Sequence, residues 1–143
     1  MQLTRYTDYS LRVLMYLAIH PGRLATIGEI SDAYAISRNH LVKVVHELGG
    51  RGYVHTQRGK LGGISLARSP ADINIGDVVR HTEKNLEVVN CTAPACPILP
   101  ACDLMSVLFE ARDAFLHVLD RDTLADITGG ERQNDLRQLL AHD

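Results

Sequence analysis

No stretch of the sequence is long and apolar enough to span a membrane. A membrane-spanning helix needs roughly 18 consecutive apolar residues. Every hydrophobic run here is interrupted by charge before that length, and near the start the charges are Arg5, Asp8 and Arg12. We therefore expect a cytoplasmic protein that makes no contact with a membrane.

The sequence also lacks the signs of an enzyme. It contains no nucleophile paired with a base, no Walker loop and no dinucleotide-binding fingerprint. Its seven histidines are scattered along the chain, and only His40 lies in a segment suited to contact with a partner molecule. These absences indicate a binding protein rather than a catalyst.

Cysteine is scarce, and its number argues against a disulfide framework. The chain has three cysteines, Cys91, Cys96 and Cys102. Disulfide scaffolds occur in oxidising compartments and pair their cysteines, so an odd number in a cytoplasmic protein points to another use of the thiols.

Charge is nearly balanced overall, with a net of −2, but it is unevenly distributed. Residues 1–68 carry nine basic and four acidic residues, a net of +5, and the remainder carries six basic and thirteen acidic residues, a net of −7. A basic front half suggests contact with nucleic acid, although a solvated surface with uneven charge has the same composition.

The front half predicts three helices. Residues 4–19 repeat apolar side chains at helical spacing. Thr26 and Glu29 have the spacing of a capping box, which begins a second helix. Ser37 is a good N-cap for a third helix, which we expect glycines 49, 50 and 52 to end.

Residues 53–67 predict a hairpin after the third helix, which completes a winged helix-turn-helix. Arg58 and Lys60 stand on a turn whose glycines keep side chains out of the way, so that the backbone and two cations can approach a DNA groove closely. A surface hairpin with incidental charge is the alternative. The turn glycines are Gly59, Gly62 and Gly63.

The start of the third helix has side chains suited to reading DNA. In a helix-turn-helix, the N-terminal residues of the second helix of the motif face base edges in the major groove. Arg38 can bond to guanine and Asn39 to adenine, and Ser37 can hold a phosphate; Ser37 as a simple cap and Asn39 as a solvated residue are the alternatives. Arg12 can touch phosphate or pair with Asp8. The predicted DNA-contacting residues are Ser37, Arg38, Asn39, His40, Lys43, Arg58, Lys60 and Arg12.

The predicted fold is mainly α with a small β-hairpin, divided into four parts. Residues 1–68 form the winged helix-turn-helix, 69–102 hold short helices and the cysteine loop, 103–128 hold a long helix and a short one, and 129–143 form a flexible tail. Apolar residues in the long helix recur at spacings of four and three, which is typical of a helix pair. We expect this helix to mediate dimerisation rather than to close the core of its own subunit, because DNA-reading winged helices usually bind two half-sites. The recurring apolar residues are Leu104, Leu108, Ala111, Phe115 and Val118.

The three cysteines lie in a proline-stiffened loop, CTAPACPILPAC, with gaps of four and five residues. Inert buried thiols would instead lie in helices at core spacing. Structural zinc sites usually include a tight pair of ligands separated by two to four residues, and the smaller gap here lies at the upper end of that range. Wider gaps suit an iron-sulfur cluster, so the spacing favours a cluster and leaves zinc open.

Taken together, these segments resemble, nearly end to end, the NsrR repressors of the Rrf2 family. The matching stretches are MQLTRYTDYSLR, ISRNHLVKVVHEL, RGYVHTQRGKLGGISL, INIGDVVRHTE, NCTAPACPILPAC and TLADI. The resemblance implies a homodimer whose 4Fe-4S form binds palindromic operator DNA and represses transcription. Nitric oxide would attack the cluster and release the DNA.

The resemblance also implies a ligand set. Cys91, Cys96 and Cys102 would hold the cluster together with Asp8 of the partner subunit, and a 2Fe-2S cluster is the alternative. Taken alone, Asp8 is an acid that offsets a helix dipole. The sister regulators of iron-sulfur assembly carry a histidine three residues after the last cysteine, whereas this chain has Met105.

Two other functions remain open at this stage. One is a related cluster regulator that senses redox state or iron supply. The other is an electron-transfer or cluster-carrier protein in which the helix-turn-helix is only architecture.

Overall fold

The computed structural model describes residues 2–141 and is mainly helical. Its elements are, in chain order, α1 (Arg5–Ile19), α2 (Ile27–Tyr34), α3 (Arg38–Gly50), β1 (Val54–Gln57), β2 (Gly63–Leu66), α4 (Ile75–Thr82), α5 (Asp103–Leu119), α6 (Leu124–Thr128) and α7 (Glu131–Leu140). Short 3-10 turns lie at Pro70–Asp72 and Leu99–Ala101. No helix within residues 2–141 is long and apolar enough to cross a membrane.

Helix α1 is the central element of the core. The side chain of Thr4 caps it by accepting a hydrogen bond from the backbone N–H of Thr7 at 3.3 Å. Val13, Leu14 and Ile19 are completely buried. They belong to the apolar stripe of an amphipathic helix, and the neighbouring elements pack on that stripe. The helix contacts α3, α4, α6 and α7, so both halves of the sequence meet on it.

Helices α2 and α3 form the predicted helix-turn-helix. The capping box is present: Thr26 accepts from the N–H of Glu29 at 3.1 Å, and the Glu29 carboxylate accepts from the N–H of Thr26 at 2.6 Å. The turn between the helices places Ala35 in the left-handed region, with φ of 53°. The buried Ser31 hydroxyl donates to the carbonyl of Ile36 at 2.6 Å, which fixes this turn.

Strands β1 and β2 form an antiparallel hairpin with Val54 opposite Leu66. The hairpin is attached to the helices by two backbone hydrogen bonds between Ala25 and Ile64, of 2.9 and 2.7 Å. The predicted end of α3 needs a small correction. Gly49 and Gly50 are its last two residues, and the chain turns at Gly52, where φ is 73°.

The rear half packs onto α1 through short helices with local caps. Asn74 caps α4 by accepting from the N–H of Asp77 at 3.1 Å. Thr123 and Asp126 form a second capping box at α6. Arg80 on α4 makes two hydrogen bonds to Asp120 at the end of α5, one of them 2.8 Å long. The Arg80–Asp120 pair links α5 to α4, and α4 in turn packs on α1.

The prediction of a flexible tail is wrong for residues 131–140, which form α7. The segment is polar, but it finds tertiary partners: Leu140 packs against the core, and Nε of Arg137 donates to the carbonyl of Ile19 at 2.5 Å. Most helical stability in proteins comes from such packing rather than from composition. Residues 142 and 143 of the predicted tail lie outside the described residues.

Candidate nucleic-acid interface and metal site

The start of α3 presents the predicted base-reading side chains to solvent. Ser37, Arg38, Asn39, His40 and Lys43 are all exposed. Ser37 occupies the N-cap position, as predicted, but its side chain makes no capping hydrogen bond. The N-terminal end of a helix carries a partial positive charge and free N–H groups. This end of α3 therefore suits a phosphate or the acceptor atoms of base edges.

Two of these side chains rest on neighbouring helices. A Cβ built on Gly28 would lie 3.3 Å from Nη2 of Arg38, so the guanidinium packs over bare backbone of α2. The ring of His40 lies 6.0 Å from that of Tyr9 on α1. A side chain held by its surroundings loses less conformational freedom when it binds a partner.

Arg12 pairs with Asp8, which is one of the two partners that the sequence allowed for it. The other is a DNA phosphate. Nε of Arg12 lies 2.9 Å from Oδ1 of Asp8, and each side chain is 43% exposed. This hydrogen bond raises the pKa of Arg12, whose guanidinium also lies 5.6 Å from the ring centre of Tyr34. Burial raises the pKa of Tyr34 to about 12. An exposed pair of this kind contributes only about 0.3–0.5 kcal/mol, so either partner can exchange it for a stronger one.

The wing turn exposes Arg58 and Lys60. Each of its three glycines is required for a different structural reason. Gly59 has a φ of 107°, a conformation that other residues rarely adopt. A Cβ on Gly62 would collide with the carbonyl groups of Gln57 and Gly59. A Cβ on Gly63 would lie 2.8 Å from the carbonyl oxygen of Ala25. The last two glycines are thus required by packing within the protein.

The three predicted cluster ligands lie in one loop between α4 and α5. Cys91, Cys96 and Cys102 are free thiols and half-buried. The N–H of Cys96 donates to the carbonyl of Cys91 at 2.9 Å, so these two residues are held close along the backbone. Cys102 immediately precedes α5.

Free thiols grouped in one loop are the kind of donor that iron-sulfur clusters bind. Among residues 2–141, no three His, Cys, Asp or Glu side chains converge closely enough to hold one metal ion. Asp8, which is paired with Arg12, is accordingly not brought into such a group with the cysteines of its own chain. A four-iron cluster binds its ligands on separate irons, so three thiols spread along a loop suit it.

The first turn of α1, which carries Asp8, is linked to the start of the cysteine loop. Oε1 of Glu83 accepts from the backbone N–H of Thr4 at 2.7 Å and from the Thr4 hydroxyl at 3.0 Å. Glu83 directly follows α4, and Thr4 caps α1. Sequence reasoning did not find this link, because the two residues are 79 positions apart.

Sequence reasoning also missed the residues that hold the wing. The hydroxyl of Tyr53 lies 2.7 Å from Nδ1 of His81 on α4. The guanidinium of Arg68 lies 4.6 Å from the ring centre of Tyr53 and donates to the carbonyls of Arg51 and Gly52, both at 2.9 Å. No local sequence signal marks these contacts, since their partners are 15 or more residues apart.

Comparison with known proteins identifies the family. The sequence profile of the Rrf2 family, described as an iron-dependent transcriptional regulator, matches residues 3–130. The chain belongs to the Rrf2 family. Two relatives named HTH-type transcriptional regulator NsrR are 51% identical to it, in Shouchella clausii, and 50% identical, in Bacillus subtilis. Each alignment covers 98% of this chain, and 95% and 97% of the respective relative.

Solved structures agree with this Rrf2 assignment. CymR, described as the global cysteine regulator of B. subtilis, is 26% identical with a TM-score of 0.72, over 89% of this chain and 95% of that one. IscR of T. potens is 25% identical with a TM-score of 0.72, over 100% of this chain and 93% of that one. The predicted fold class is confirmed. This Rrf2 protein is a DNA-binding transcription repressor and not an enzyme, as the sequence predicted.

Proposed function

We propose that this chain represses transcription as a cytoplasmic homodimer and releases its palindromic operator when nitric oxide reacts with its iron-sulfur cluster. The observation that carries the proposal is the presence of three free, half-buried thiols in one loop of a winged-helix protein. The similarity to two regulators named NsrR supports nitric oxide as the signal.

The exposed face of α5 supports the homodimer. Leu116 is the one buried residue of this helix within a single chain. Leu104, Val107 and Val118 are 62%, 58% and 50% exposed and recur at helical spacing along one side. A contiguous exposed apolar stripe is typical of a protein interface, and a second α5 would pair with it as the predicted spacing of four and three requires.

Four side chains would hold the cluster, which we propose to be 4Fe-4S. Cys91, Cys96 and Cys102 would bind it from one subunit and Asp8 from the other. When bound, the cluster supplies iron that reacts with a small diatomic molecule. A carboxylate is a harder and more exchangeable ligand than a thiolate, so Asp8 marks the corner most open to that molecule. The weak pair with Arg12 would not prevent Asp8 from binding iron.

Such a cluster would couple the signal to DNA binding by fixing the distance between the two recognition helices. It would join the cysteine loop of one subunit to α1 of its partner, and α1 packs directly on α3. A coupling of about 1–3 kcal/mol changes operator affinity about 5- to 150-fold, which is enough for a switch.

The exposed polar residues of α3 and the wing would bind the operator. Arg38 and Asn39 would read base edges, with Ser37 on a phosphate. His40 and Lys43 extend this contact along α3, and Arg58 and Lys60 would lie in or beside the neighbouring groove. With Asp8 as a ligand of the iron, Arg12 would be free to contact phosphate.

The decisive experiment combines metal analysis with operator binding. Protein purified without oxygen is expected to contain iron and acid-labile sulfide and to bind operator DNA. Nitric oxide should then change the cluster absorbance and release the DNA in parallel. Stoichiometric zinc without sulfide would refute the cluster, and DNA release that does not follow the absorbance would refute nitric oxide as the signal.

One rival has specific support, since the matching family is described as iron-dependent. A sensor of iron supply would lose operator binding when iron is withdrawn and would not respond selectively to nitric oxide. A cluster carrier would show no salt-sensitive, sequence-specific DNA binding with or without its cluster. The same binding assay therefore separates all three functions.

A further inference from the structure

We propose that Leu61, at the tip of the wing, contacts DNA by packing against the deoxyribose walls of the minor groove. This inference rests on the proposed operator binding and adds to it an apolar contact that the polar residues of α3 and the wing do not supply.

The first observation is the exposure of this side chain. Leu61 is 86% exposed, more than any other large hydrophobic residue that protrudes from residues 2–141. Single exposed leucines are common on protein surfaces. Those on α5, however, share a face that a second subunit would cover, whereas Leu61 stands alone on the wing turn.

The second observation is the charge around it. No acidic residue occurs between Glu47 and Asp72, while four basic residues do, and two of them, Arg58 and Lys60, come shortly before Leu61 on the same turn. A leucine on a turn that carries cations and no acid fits a polyanion that also has apolar surface. The minor groove of DNA meets both conditions, because phosphates line its edges and sugars its walls, and proteins commonly place apolar side chains there.

The third observation is that the turn is fixed before any partner binds. The N–H of Gly62 donates to the carbonyl of Gly59 at 3.0 Å, and Gly62 and Gly63 pack against backbone carbonyls with no room for a side chain. The wing base is held by Arg68 and Tyr53. Leu61 is therefore presented on a turn that internal contacts already shape, which lowers the cost of ordering it on DNA.

Operator titrations at several salt concentrations test the proposal. Leu61→Ala should weaken binding about fivefold per wing, since it removes part of a buried leucine, and should leave the salt dependence unchanged. Lys60→Gln should also weaken binding, but with a salt slope lower by about one per wing. Leu61→Met keeps an apolar side chain and should bind within about twofold of the original protein.

Two further measurements complete the test. Leu139→Ala removes another leucine, 77% exposed on α7, and should not change DNA binding. Hydroxyl-radical footprinting should show sugars protected by the wing, and Leu61→Ala should lose that protection. Thermal unfolding of Leu61→Ala should match the original protein, since the residue is exposed.

The outcomes separate this inference from the proposed function. If the original protein binds the operator and Leu61→Ala binds it equally well, the inference is overturned. It is also overturned if Leu61→Ala lowers the salt slope as Lys60→Gln does, or if the sugar protection persists. If the original protein shows no sequence-specific binding, the operator-binding function itself has failed.

Discussion

Two acidic substitutions on α5 should convert the dimer into a monomer. Leu104 and Val107 are 62% and 58% exposed in a single chain, so the variant Leu104→Glu/Val107→Glu removes apolar surface that only a partner can bury. Complete burial of a leucine or valine contributes about 1.5–3 kcal/mol. When this free energy is scaled to the exposed fraction of each side chain and summed over two subunits, the lost free energy of dimerisation is roughly 4–7 kcal/mol. Dimerisation is then weakened about a thousandfold or more.

Analytical ultracentrifugation at micromolar concentration measures this effect directly. The variant should sediment as a 15.8 kDa monomer, and the original protein at twice that mass. Ser106→Glu is the matched control, because Ser106 is exposed on the same helix but points away from the apolar stripe. Helical circular dichroism of both variants should be retained. A variant that stays dimeric would show that α5 is not the interface.

Three further predictions concern packing and titration. Arg137→Ala removes the partner of a buried α1 carbonyl and should lower the free energy of unfolding by about 1–3 kcal/mol. Arg132→Ala, on the exposed side of α7, is the control and should leave the free energy of unfolding unchanged. Equal denaturation midpoints for the two variants would contradict the packing of α7. Gly62→Ala should destabilise the wing by about 2 kcal/mol and weaken operator binding, while Gly50→Ala, which meets no neighbour, should be tolerated. Tyr34 has a pKa of about 12 when folded and about 10 when unfolded, so its stabilising effect is complete below pH 10 and is lost as the pH rises through 12. The pKa of Tyr34 is measured by a pH titration of phenolate absorbance, as the difference between the original protein and Tyr34→Phe. A value near 10 for Tyr34 would contradict the prediction.

The features that the sequence predicted well depend on near neighbours. The capping box at Thr26 was predictable because it joins residues three positions apart. Even so, a local signal does not fix every bond: α3 begins after Ser37 as predicted, yet the Ser37 side chain makes no capping hydrogen bond.

The remaining features depend on distant partners. Helix α7 was missed because its Arg137 binds a carbonyl 118 residues earlier. For the candidate cluster site, the spacing predicted the three thiols, and in the function we propose their final arrangement would depend on iron and, for Asp8, on a second subunit.

The bond between Arg137 and Ile19 also bears on how the protein is made. Helix α1 leaves the ribosome first, yet the partner of its last carbonyl is synthesised almost at the end. Long-range contacts of this kind delay folding until both segments are available. The nascent chain therefore lacks this bond until synthesis is nearly complete, and chains that end before residue 137 would leave the Ile19 carbonyl without its Arg137 partner.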